Sequence, residues 1–263
     1  MMDILLLMMK EKLTIVKVGG AVVENDDQLD RLLKDFSAID GRKILVHGGG
    51  RRATDIASKL GIESKMINGR RITDEEMLTV VTMVYGGLVN KNVVAQLQAN
   101  GVNALGLTGA DMNAILSHKR IVKDIDYGYA GDIDKVNGKQ LSNLIEHEIV
   151  PVMAPLTHDG KGLILNTNAD TIAAEVAKAL AEFYDVTLIY SFEKPGVMRN
   201  PDDNSSMIPV ITADDYAQYK ADGTISGGMI PKLDNAFGAI QSGVKQVIIT
   251  LATAIDGNHG TVI

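Results

Sequence analysis

The sequence predicts an α/β protein, a three-layer αβα sandwich in which helices cover both faces of a central, mainly parallel sheet. Runs rich in β-branched residues alternate with runs of helical spacing, which is the pattern that builds parallel sheets. With 263 residues and 46% hydrophobic content, the chain can bury a large core. Two predicted strands end in glycine-rich segments, which indicates a binding site at the carboxyl edge of the sheet.

The predicted strands are short apolar runs, at residues 13–18, 43–47, 104–108, 150–153, 186–190, 246–250 and 261–263. The predicted helices carry apolar residues at helical spacing, at residues 28–36, 52–60, 74–100, 139–147, 170–183, 212–221 and 231–242. Residues 159–162, Asp-Gly-Lys-Gly, lie between two apolar runs and predict a hairpin turn. We place a boundary between an N-terminal lobe, residues 1–183, and a C-terminal lobe, residues 184–263.

Composition excludes several classes of function. The net charge of −7 and the pI near 5.2 argue against nucleic acid as a partner. The chain has no cysteine, which suits a reducing cytoplasm, and its five histidines show no i, i+4 pair, so no metal site is predicted. The apolar run at residues 4–9 is too short to span a membrane, and we interpret it as a dispensable extension of the chain.

The glycine-rich segments are Lys17-Val18-Gly19-Gly20 and His47-Gly48-Gly49-Gly50. A glycine run after a parallel strand lets backbone N–H groups approach an anion, and the following helix adds the positive end of its dipole. Lys17 supplies a positive side chain beside the first run. The two segments therefore predict a phosphate or carboxylate site.

Several chemistries share such glycine runs. Residues 48–53, Gly-Gly-Gly-Arg-Arg-Ala, fit a dinucleotide-binding fingerprint, and His-Gly-Gly-Gly is also typical of esterase oxyanion loops. The chain has no G-x-S-x-G elbow and no G-x-x-x-x-G-K-[ST] P-loop, and the dinucleotide fingerprint normally follows the first strand. The glycine runs therefore predict a nucleotide or anion site that differs from the esterase, P-loop and dinucleotide-binding sites.

Three further motifs follow along the chain: N-G-R-R-I-T-D at residues 68–74, N-T-N-A-D at 166–170 and S-G-G-M-I-P-K at 226–232. Together with the two glycine-rich segments, and in the same order, they closely resemble the amino acid kinase family, in its branch that phosphorylates acylated glutamate. The resemblance extends from about residue 12 to residue 263. Five separated motifs in family order are a far stronger signal than any one glycine run.

The resemblance implies transfer of the γ-phosphoryl group of ATP, with Mg²⁺, to the side-chain carboxylate of N-acetyl-L-glutamate in arginine biosynthesis. The product is N-acetyl-L-glutamyl 5-phosphate. A glutamate side chain has a pKa of about 4.3 and is ionised at neutral pH, so the reaction needs no general base. The enzyme must instead align two anionic molecules and neutralise the phosphoryl oxygens during transfer.

The resemblance also implies roles for individual residues. Lys17 and Lys232 would contact the transferring phosphoryl group, and Asp170 would hold both ammonium groups; a carboxylate at this position could instead simply cap its helix. The implied acylglutamate ligands are Gly49, Gly50, Arg71, whose guanidinium fits the α-carboxylate, and Asn166, whose side chain suits the acylated amide. The implied nucleotide ligands are Gly19, Gly20, Glu193, Lys194, Gly196, Val197, Met198, Ser226 and Gly228.

The chain departs from the family pattern at two places. Residues 191–194, Ser-Phe-Glu-Lys, stand where the family commonly has Ser or Thr followed by Asp and Val. Either Glu193 would replace the missing aspartate, or Lys194 would contact phosphate directly. Arg70 stands where the residue before the substrate arginine is commonly apolar. It could bind a second carboxylate on a longer acyl group such as succinyl, although neighbouring residues in an extended segment point to opposite faces.

Other functions stay open from the sequence. N-succinyl-L-glutamate is an alternative acceptor, and the fold also serves kinases of carbamate, free glutamate, aspartate or UMP. A non-catalytic sensor of nucleotide or amino acid is the alternative of another class. The resemblance implies a homodimer, and the long apolar helix at residues 74–100 could supply its interface.

Overall fold

The structure is a computed structural model that describes residues 10–67 and 69–263. The apolar extension at residues 4–9 and Asn68 of the N-G-R-R motif lie outside the described residues. The architecture is the predicted α/β sandwich, built on a seven-stranded sheet with the order β13-β12-β11-β1-β2-β8-β5.

The sheet is parallel except for its last strand. Its strands are β1 (Lys12–Val18), β2 (Arg42–His47), β5 (Ala104–Leu107), β8 (Val150–Met153), β11 (Asp185–Phe192), β12 (Gln246–Leu251) and β13 (Thr261–Val262). All seven predicted strands are present, with ends that differ by at most two residues. The central strand β1 pairs with β2 on one side and with β11 on the other, so strands from both predicted lobes share one sheet.

Helices lie against this sheet. Their bounds are α1 (Gly20–Glu24), α2 (Asp26–Ser37), α3 (Gly50–Lys59), α4 (Glu75–Val81), α5 (Asn90–Ala99), α6 (Gly138–Glu146), α7 (Ala169–Leu180), α8 (Ala213–Ala221) and α9 (Met229–Gln241). A π-helical segment, Thr82–Val89, joins α4 to α5, so the predicted helix at 74–100 is continuous. This run, Glu75–Ala99, is long and apolar enough to cross a membrane by length and composition alone. In the fold, 44% of its most apolar window is buried.

Two apolar clusters sandwich the sheet, because side chains alternate between its faces. On β1, Leu13 and Ile15 face one cluster, which includes α7 and α9, and Val16 and Val18 face the other, which includes α2 and α3. All four side chains are fully buried. The sheet is therefore apolar on both faces, as a parallel sheet covered by helices must be.

A second, small sheet was not predicted. Strands β6 (Ile115–Val122), β7 (Ile125–Val136), β9 (Leu156–His158) and β10 (Ile164–Asn166) form a closed barrel beside the carboxyl edge of the main sheet. The turn predicted at residues 159–162 does join β9 to β10 as an antiparallel hairpin. A short ribbon, β3 (Met66–Ile67) with β4 (Arg70–Arg71), completes the strands of the described residues.

Candidate active site

The two glycine-rich segments lie side by side at the carboxyl edge of the sheet. The N–H of Gly19 donates to the carbonyl of Ser191 at 3.2 Å, and the N–H of Gly48 donates to the carbonyl of Val18 at 3.1 Å. A Cβ on Gly48 would lie only 3.2 Å from the backbone nitrogen of Gly20, so the close approach of the two loops favours glycine. Helices α1 and α3 begin directly after the loops, and their first N–H groups have no partner within the helix.

Two lysines from distant parts of the chain meet on one carboxylate. Lys17 Nζ, at the end of β1, lies 2.6 Å from Asp170 Oδ1, and Lys232 Nζ, in the first turn of α9, lies 2.7 Å from Asp170 Oδ2. The three side chains are 11%, 19% and 12% exposed in the order Lys17, Asp170 and Lys232. The structure thus brings the three predicted catalytic residues together next to the glycine-rich loops.

Asp170 does not cap its helix. The cap of α7 is Asn168, whose Oδ1 accepts from the backbone N–H groups of Asp170 at 2.8 Å and Thr171 at 3.1 Å. Burial raises the pKa of the Asp170 carboxyl, but the two ammonium groups outweigh it and hold that pKa well below its usual range. Burial lowers the pKa of Lys232, Asp170 opposes this shift, and Lys17 adds to it. The group of three carries a net charge of +1 near neutral pH.

Two aromatic side chains surround Lys232, and sequence reasoning missed this arrangement. Lys232 Nζ lies 4.9 Å from the ring centroid of Tyr190 and 5.8 Å from that of Phe192. The Tyr190 hydroxyl donates to the backbone carbonyl of Asp170 at 3.1 Å. Tyr190 therefore contacts the Lys232 ammonium group and the backbone of Asp170, although the sequence offers only an aromatic residue in a predicted strand.

Arg71 is a buried residue of β4, and its guanidinium contacts α3. Its Nη2 donates to the carbonyl of Gly50 at 2.7 Å and to Thr54 Oγ1 at 3.0 Å, and its Nη1 donates to Ser64 Oγ. These partners are neutral, and no carboxylate within residues 10–67 and 69–263 pairs with Arg71. The guanidinium is therefore held in place with its charge unneutralised, as a carboxylate-binding site requires.

The predicted substrate residues line a common cavity of about 170 Å³. Gly49, Gly50, Arg70, Arg71 and Asn166 all line it. The alternation of an extended chain predicts opposite directions for Arg70 and Arg71, yet both border this cavity.

The side walls of the cavity come from the barrel and from the π-helical segment. Asn166 Nδ2 donates to Thr73 Oγ1 at 2.9 Å, which ties the end of β10 to the N-G-R-R-I-T-D motif. Tyr85 lies in the π-helical segment, and a Cβ on Gly49 would approach its ring to 3.1 Å. Sequence reasoning missed Tyr85. The Gly86-Gly87 pair that follows it is unusual inside a helix, and it could have indicated an irregular segment at a functional site.

The predicted nucleotide residues border two further cavities. Gly19, Gly20 and Glu193 line the cavity next to the substrate cavity, and Phe192 lines this second cavity and a third one. The third cavity includes Lys194, Gly196, Val197, Met198 and Ser226. Gly228 lies outside its lining and directly precedes α9.

Glu193 and Lys194 differ in their surroundings. Glu193 is 61% exposed and lies 3.5 Å from Arg51, which belongs to α3 on the other side of the cleft. Lys194 Nζ donates to the carbonyl of Pro201 at 2.8 Å. The role of either residue toward a nucleotide stays a prediction.

The described part of the chain contains no cluster of three His, Cys, Asp or Glu side chains that could hold a metal ion. The Asp170 carboxylate is paired with two lysines. The site therefore offers ammonium groups and backbone N–H groups, and these suit the binding of anions.

The chain is similar to known proteins in both sequence and fold. The pattern that defines the amino acid kinase family matches residues 12–251. The chain is 68% identical to the acetylglutamate kinase of Phocaeicola vulgatus, over 97% of this chain and 99% of that protein. It is 66% identical to the acetylglutamate kinase of Bacteroides thetaiotaomicron, over 96% and 98%. Among solved structures, smu.665 from Streptococcus mutans matches with a TM-score of 0.77 at 28% identity, over 95% of this chain and 98% of that one.

Proposed function

The chain belongs to the amino acid kinase family, and from this premise we propose that it transfers the γ-phosphoryl group of ATP to the side-chain carboxylate of N-acetyl-L-glutamate. The product is N-acetyl-L-glutamyl 5-phosphate, and the reaction is a step of arginine biosynthesis. The observation that carries the proposal is the Lys17–Asp170–Lys232 group beside two glycine-rich loops. The identity of 68% to an acetylglutamate kinase over nearly the whole chain supports the choice of acceptor.

The acceptor carboxylate is the nucleophile and needs no deprotonation at neutral pH. Gly49 and Gly50 present backbone N–H groups at the start of α3, where the helix dipole favours an anion. Arg71 binds the α-carboxylate of the substrate, and Asn166 binds its acylated amide. These contacts fix the acceptor so that its side chain points toward the lysines, which lowers the entropic cost of the reaction.

Lys17 and Lys232 stabilise the negative charge on the phosphoryl oxygens during transfer. Lys17 approaches from the acceptor side through β1, and Lys232 from the nucleotide side through α9. Asp170 holds both ammonium groups before substrates bind, so the charges need no reorganisation in the transition state. Because ammonium groups in a site with little water interact strongly with an anion, each lysine contributes to kcat more than an exposed lysine could.

ATP binds across the second and third cavities, with its phosphates at Gly19, Gly20, Ser226 and Gly228. Its nucleoside lies at the cavity of Lys194, Gly196, Val197 and Met198. Residues 1–183 then form the acceptor lobe and residues 184–263 the nucleotide lobe. Mg²⁺ would enter with the nucleotide and would offset the negative charge of its phosphate oxygens. The described residues include no cluster of three His, Cys, Asp or Glu side chains that could hold it on their own.

A homodimer in the cytoplasm is part of the proposal. Met83 and Leu88, in the π-helical segment, are 52% and 41% exposed, and Leu105, on the edge strand β5, is 39% exposed. Apolar side chains of this size on one long helix and a nearby sheet edge favour association of two copies. The lack of cysteine suits a reducing compartment.

The experiment that tests the function is a coupled ADP-release assay with purified protein and Mg-ATP. N-acetyl-L-glutamate and free L-glutamate are compared as acceptors at matched concentrations, and the acyl phosphate is trapped with hydroxylamine. We expect ADP and hydroxamate in equal amounts with the acylated acceptor and little of either with free glutamate. Binding of nucleotide without turnover of any acceptor would instead favour a sensor.

A further inference from the structure

A buried histidine contacts the second glycine-rich loop, and the proposed reaction does not use it. His47 is the last residue of β2 and directly precedes Gly48. Its side chain is fully buried and lines none of the three cavities of the site, so the imidazole does not reach a bound substrate. His47 Nδ1 lies 2.7 Å from the carbonyl oxygen of Gly48, and His47 Nε2 lies 3.1 Å from Asn90 Nδ2. The ring therefore connects the glycine-rich loop to the start of α5.

The side chain of Asn90 is held in one orientation. Asn90 Nδ2 also donates to the carbonyl of Val152 at 2.9 Å, and Asn90 Oδ1 accepts from Lys91 Nζ at 3.1 Å. Asn90 is 1% exposed, and a Cβ on Gly106 would overlap its amide oxygen. Rotation of the amide would place its oxygen against the Val152 carbonyl and its NH2 group against the Lys91 ammonium group. The NH2 group of Asn90 therefore faces His47.

The two neighbours of the imidazole determine where its proton lies. The Gly48 carbonyl can only accept, so Nδ1 donates to it, and the NH2 group of Asn90 can only donate, so Nε2 accepts. Burial lowers the pKa of His47 to about 4, the Gly48 carbonyl opposes this shift, and the Lys91 ammonium group adds to it. The ring is therefore neutral near neutral pH, with its single N–H proton on Nδ1.

Both backbone polar groups of Gly48 are held. Its N–H donates to the carbonyl of Val18 at 3.1 Å, and its carbonyl accepts from His47. In a trans peptide the carbonyl and the following N–H point in opposite directions, so the contact with His47 also sets the direction of the Gly49 N–H. This N–H donates to no backbone carbonyl within residues 10–67 and 69–263. It is therefore available to a ligand.

Gly49 lies where the two proposed substrates meet. It lines both the substrate cavity and the adjoining cavity of Gly19 and Gly20. A Cβ added to Gly20 would lie 3.8 Å from the backbone nitrogens of Gly49 and of Gly50, so these nitrogens are close to the first glycine-rich loop. An N–H at this place binds an anion only if it points toward it, because a hydrogen bond weakens steeply as it bends. Binding of the acceptor therefore depends on the orientation of the Gly48–Gly49 peptide.

We propose that His47 is a positioning residue of the acceptor site. Its Nδ1–H holds the Gly48 carbonyl and thereby keeps the Gly49 N–H directed at the side-chain carboxylate of the acceptor. Asn90 acts one step further from the substrate, because it keeps the proton of the ring on Nδ1. This inference rests on the proposed kinase function and adds to it two residues that contact neither substrate.

Two substitutions divide the contacts of the ring between them. In His47→Asn the side-chain NH2 group lies near the position of Nδ1 and can donate to Gly48, but nothing reaches Asn90. In His47→Gln the amide reaches the position of Nε2 and can accept from Asn90, but nothing donates to Gly48. The matched control is His147→Gln, since His147 is an exposed histidine outside the cavities of the site, and its Nδ1 lies 2.7 Å from the carbonyl oxygen of Asn143.

The kinetic experiment measures kcat/KM for N-acetyl-L-glutamate and KM for ATP in the ADP-release assay, and urea denaturation measures the stability of each variant. Loss of one hydrogen bond to a charged group lowers binding by roughly ten- to a hundredfold, and we expect this decrease in kcat/KM for His47→Gln. KM for ATP should change by less than about threefold, because the Gly49 N–H serves the acceptor. His47→Asn should keep kcat/KM within about threefold of the native value although it also loses stability, and His147→Gln should change neither constant.

The position of the ring proton is measured on the native protein without turnover. Nitrogen NMR of protein labelled at histidine distinguishes a protonated ring nitrogen from an unprotonated one, and the signals of His47 are those missing from His47→Gln. We expect the proton on Nδ1 near neutral pH. A proton on Nε2, or on both nitrogens, would contradict the positioning role whatever the activity of the variants.

The outcomes separate the two proposals. Equal losses of kcat/KM in His47→Gln and His47→Asn, in proportion to their losses of stability, would overturn the positioning role, since His47 would then only support the fold. Absence of ADP release by the native protein would overturn the kinase proposal instead. A thermal-shift titration without ATP then decides on His47: weaker binding of N-acetyl-L-glutamate by His47→Gln than by His47→Asn supports its role, and equal binding overturns it.

Discussion

Replacing Asp170 with Asn removes the carboxylate that two buried ammonium groups share. The change is nearly isosteric, so it leaves Lys17 and Lys232 facing each other without a counterion, with side chains that are only 11% and 12% exposed. Breaking a buried ion pair by removal of one partner costs about 3–5 kcal/mol. We expect the free energy of unfolding to fall by about this amount, as measured by urea denaturation followed by circular dichroism.

The same variant should lose activity, because Asp170 no longer holds the lysines in place for the phosphoryl group. We expect kcat in the ADP-release assay to fall by roughly 10²–10³, as for loss of other preorganised charge stabilisers. The matched variant is Lys232→Met, which keeps the length of the side chain and leaves Lys17 and Asp170 as a neutral pair. It should lose kcat by a similar factor but less stability than Asp170→Asn.

The double variant Asp170→Asn/Lys232→Met tests the physical cause. It removes the mutual repulsion of the lysines, so its unfolding free energy should exceed that of Asp170→Asn by about 1–3 kcal/mol while kcat stays low. Additive stability losses in the double variant would refute the reasoning, since they would mean that the lysines do not repel each other once the carboxylate is gone.

Three further predictions concern the substrate residues and the supports of the site. Arg71→Ala should raise KM for the acylglutamate at least tenfold with a smaller change in KM for ATP, and an unchanged acylglutamate KM would remove Arg71 from the site. Gly128→Ala should destabilise the fold by about 2 kcal/mol or more, because Gly128 has φ +63° and an added Cβ would lie 2.2 Å from the carbonyl oxygen of Thr73. The control is Gly223→Ala, at φ +80° with open space around the added Cβ, which should lose only about 1 kcal/mol. Both free energies of unfolding are measured by urea denaturation. Burial lowers the pKa of His47 to about 4. Between pH 6.5 and 4 the unfolded chain therefore binds a proton at His47 that the folded chain does not bind. The free energy of unfolding should fall by about 3 kcal/mol as the pH decreases through this range. The free energy of unfolding of His47→Gln should lack this decrease. If His47→Gln loses the same stability over this pH range as the native protein, His47 is not the source of the loss.

The sheet was predictable because its strands are apolar on both faces. Buried parallel strands read as continuous apolar runs, and the six parallel strands and the antiparallel β13 were all predicted as short apolar runs. The helices that cover them have one apolar face each, which sets their position along the chain even where their ends shift by a few residues.

The barrel escaped prediction because its strands lack this signal. β6 and β7 have exposed and buried residues in irregular order, with register shifts between their partners. The two-residue connection between them, Lys123-Asp124, lacks the glycine that usually marks a hairpin. Arg120 and Asp132 belong to these strands, so their closeness to Arg70 could not be inferred from the sequence.

The Lys17–Asp170–Lys232 group was predicted from the sequence only through the resemblance of its motifs, since no local pattern joins Lys17 to Lys232. Once the fold is known, the reason is simple: β1 and α7 are in contact, α7 and α9 pack together, and their ends converge on one carboxylate. Sequence reasoning could not find the aromatic support of Lys232, because Tyr190 reads as an ordinary residue of a buried strand.

The start of α7 shows how two adjacent polar residues divide two tasks. Asn168 and Asp170 are both residue types that cap helices, and only Asp170 was considered as the cap from the sequence. The Asn168 oxygen accepts from the free N–H groups of the first turn, at 2.8 and 3.1 Å, so the Asp170 carboxylate is released from that role and bridges the lysines. Replacement of Asn168 should therefore weaken the helix by about 1 kcal/mol, whereas replacement of Asp170 acts on charge. The asparagine two residues before the aspartate therefore leaves the Asp170 carboxylate free to pair with Lys17 and Lys232.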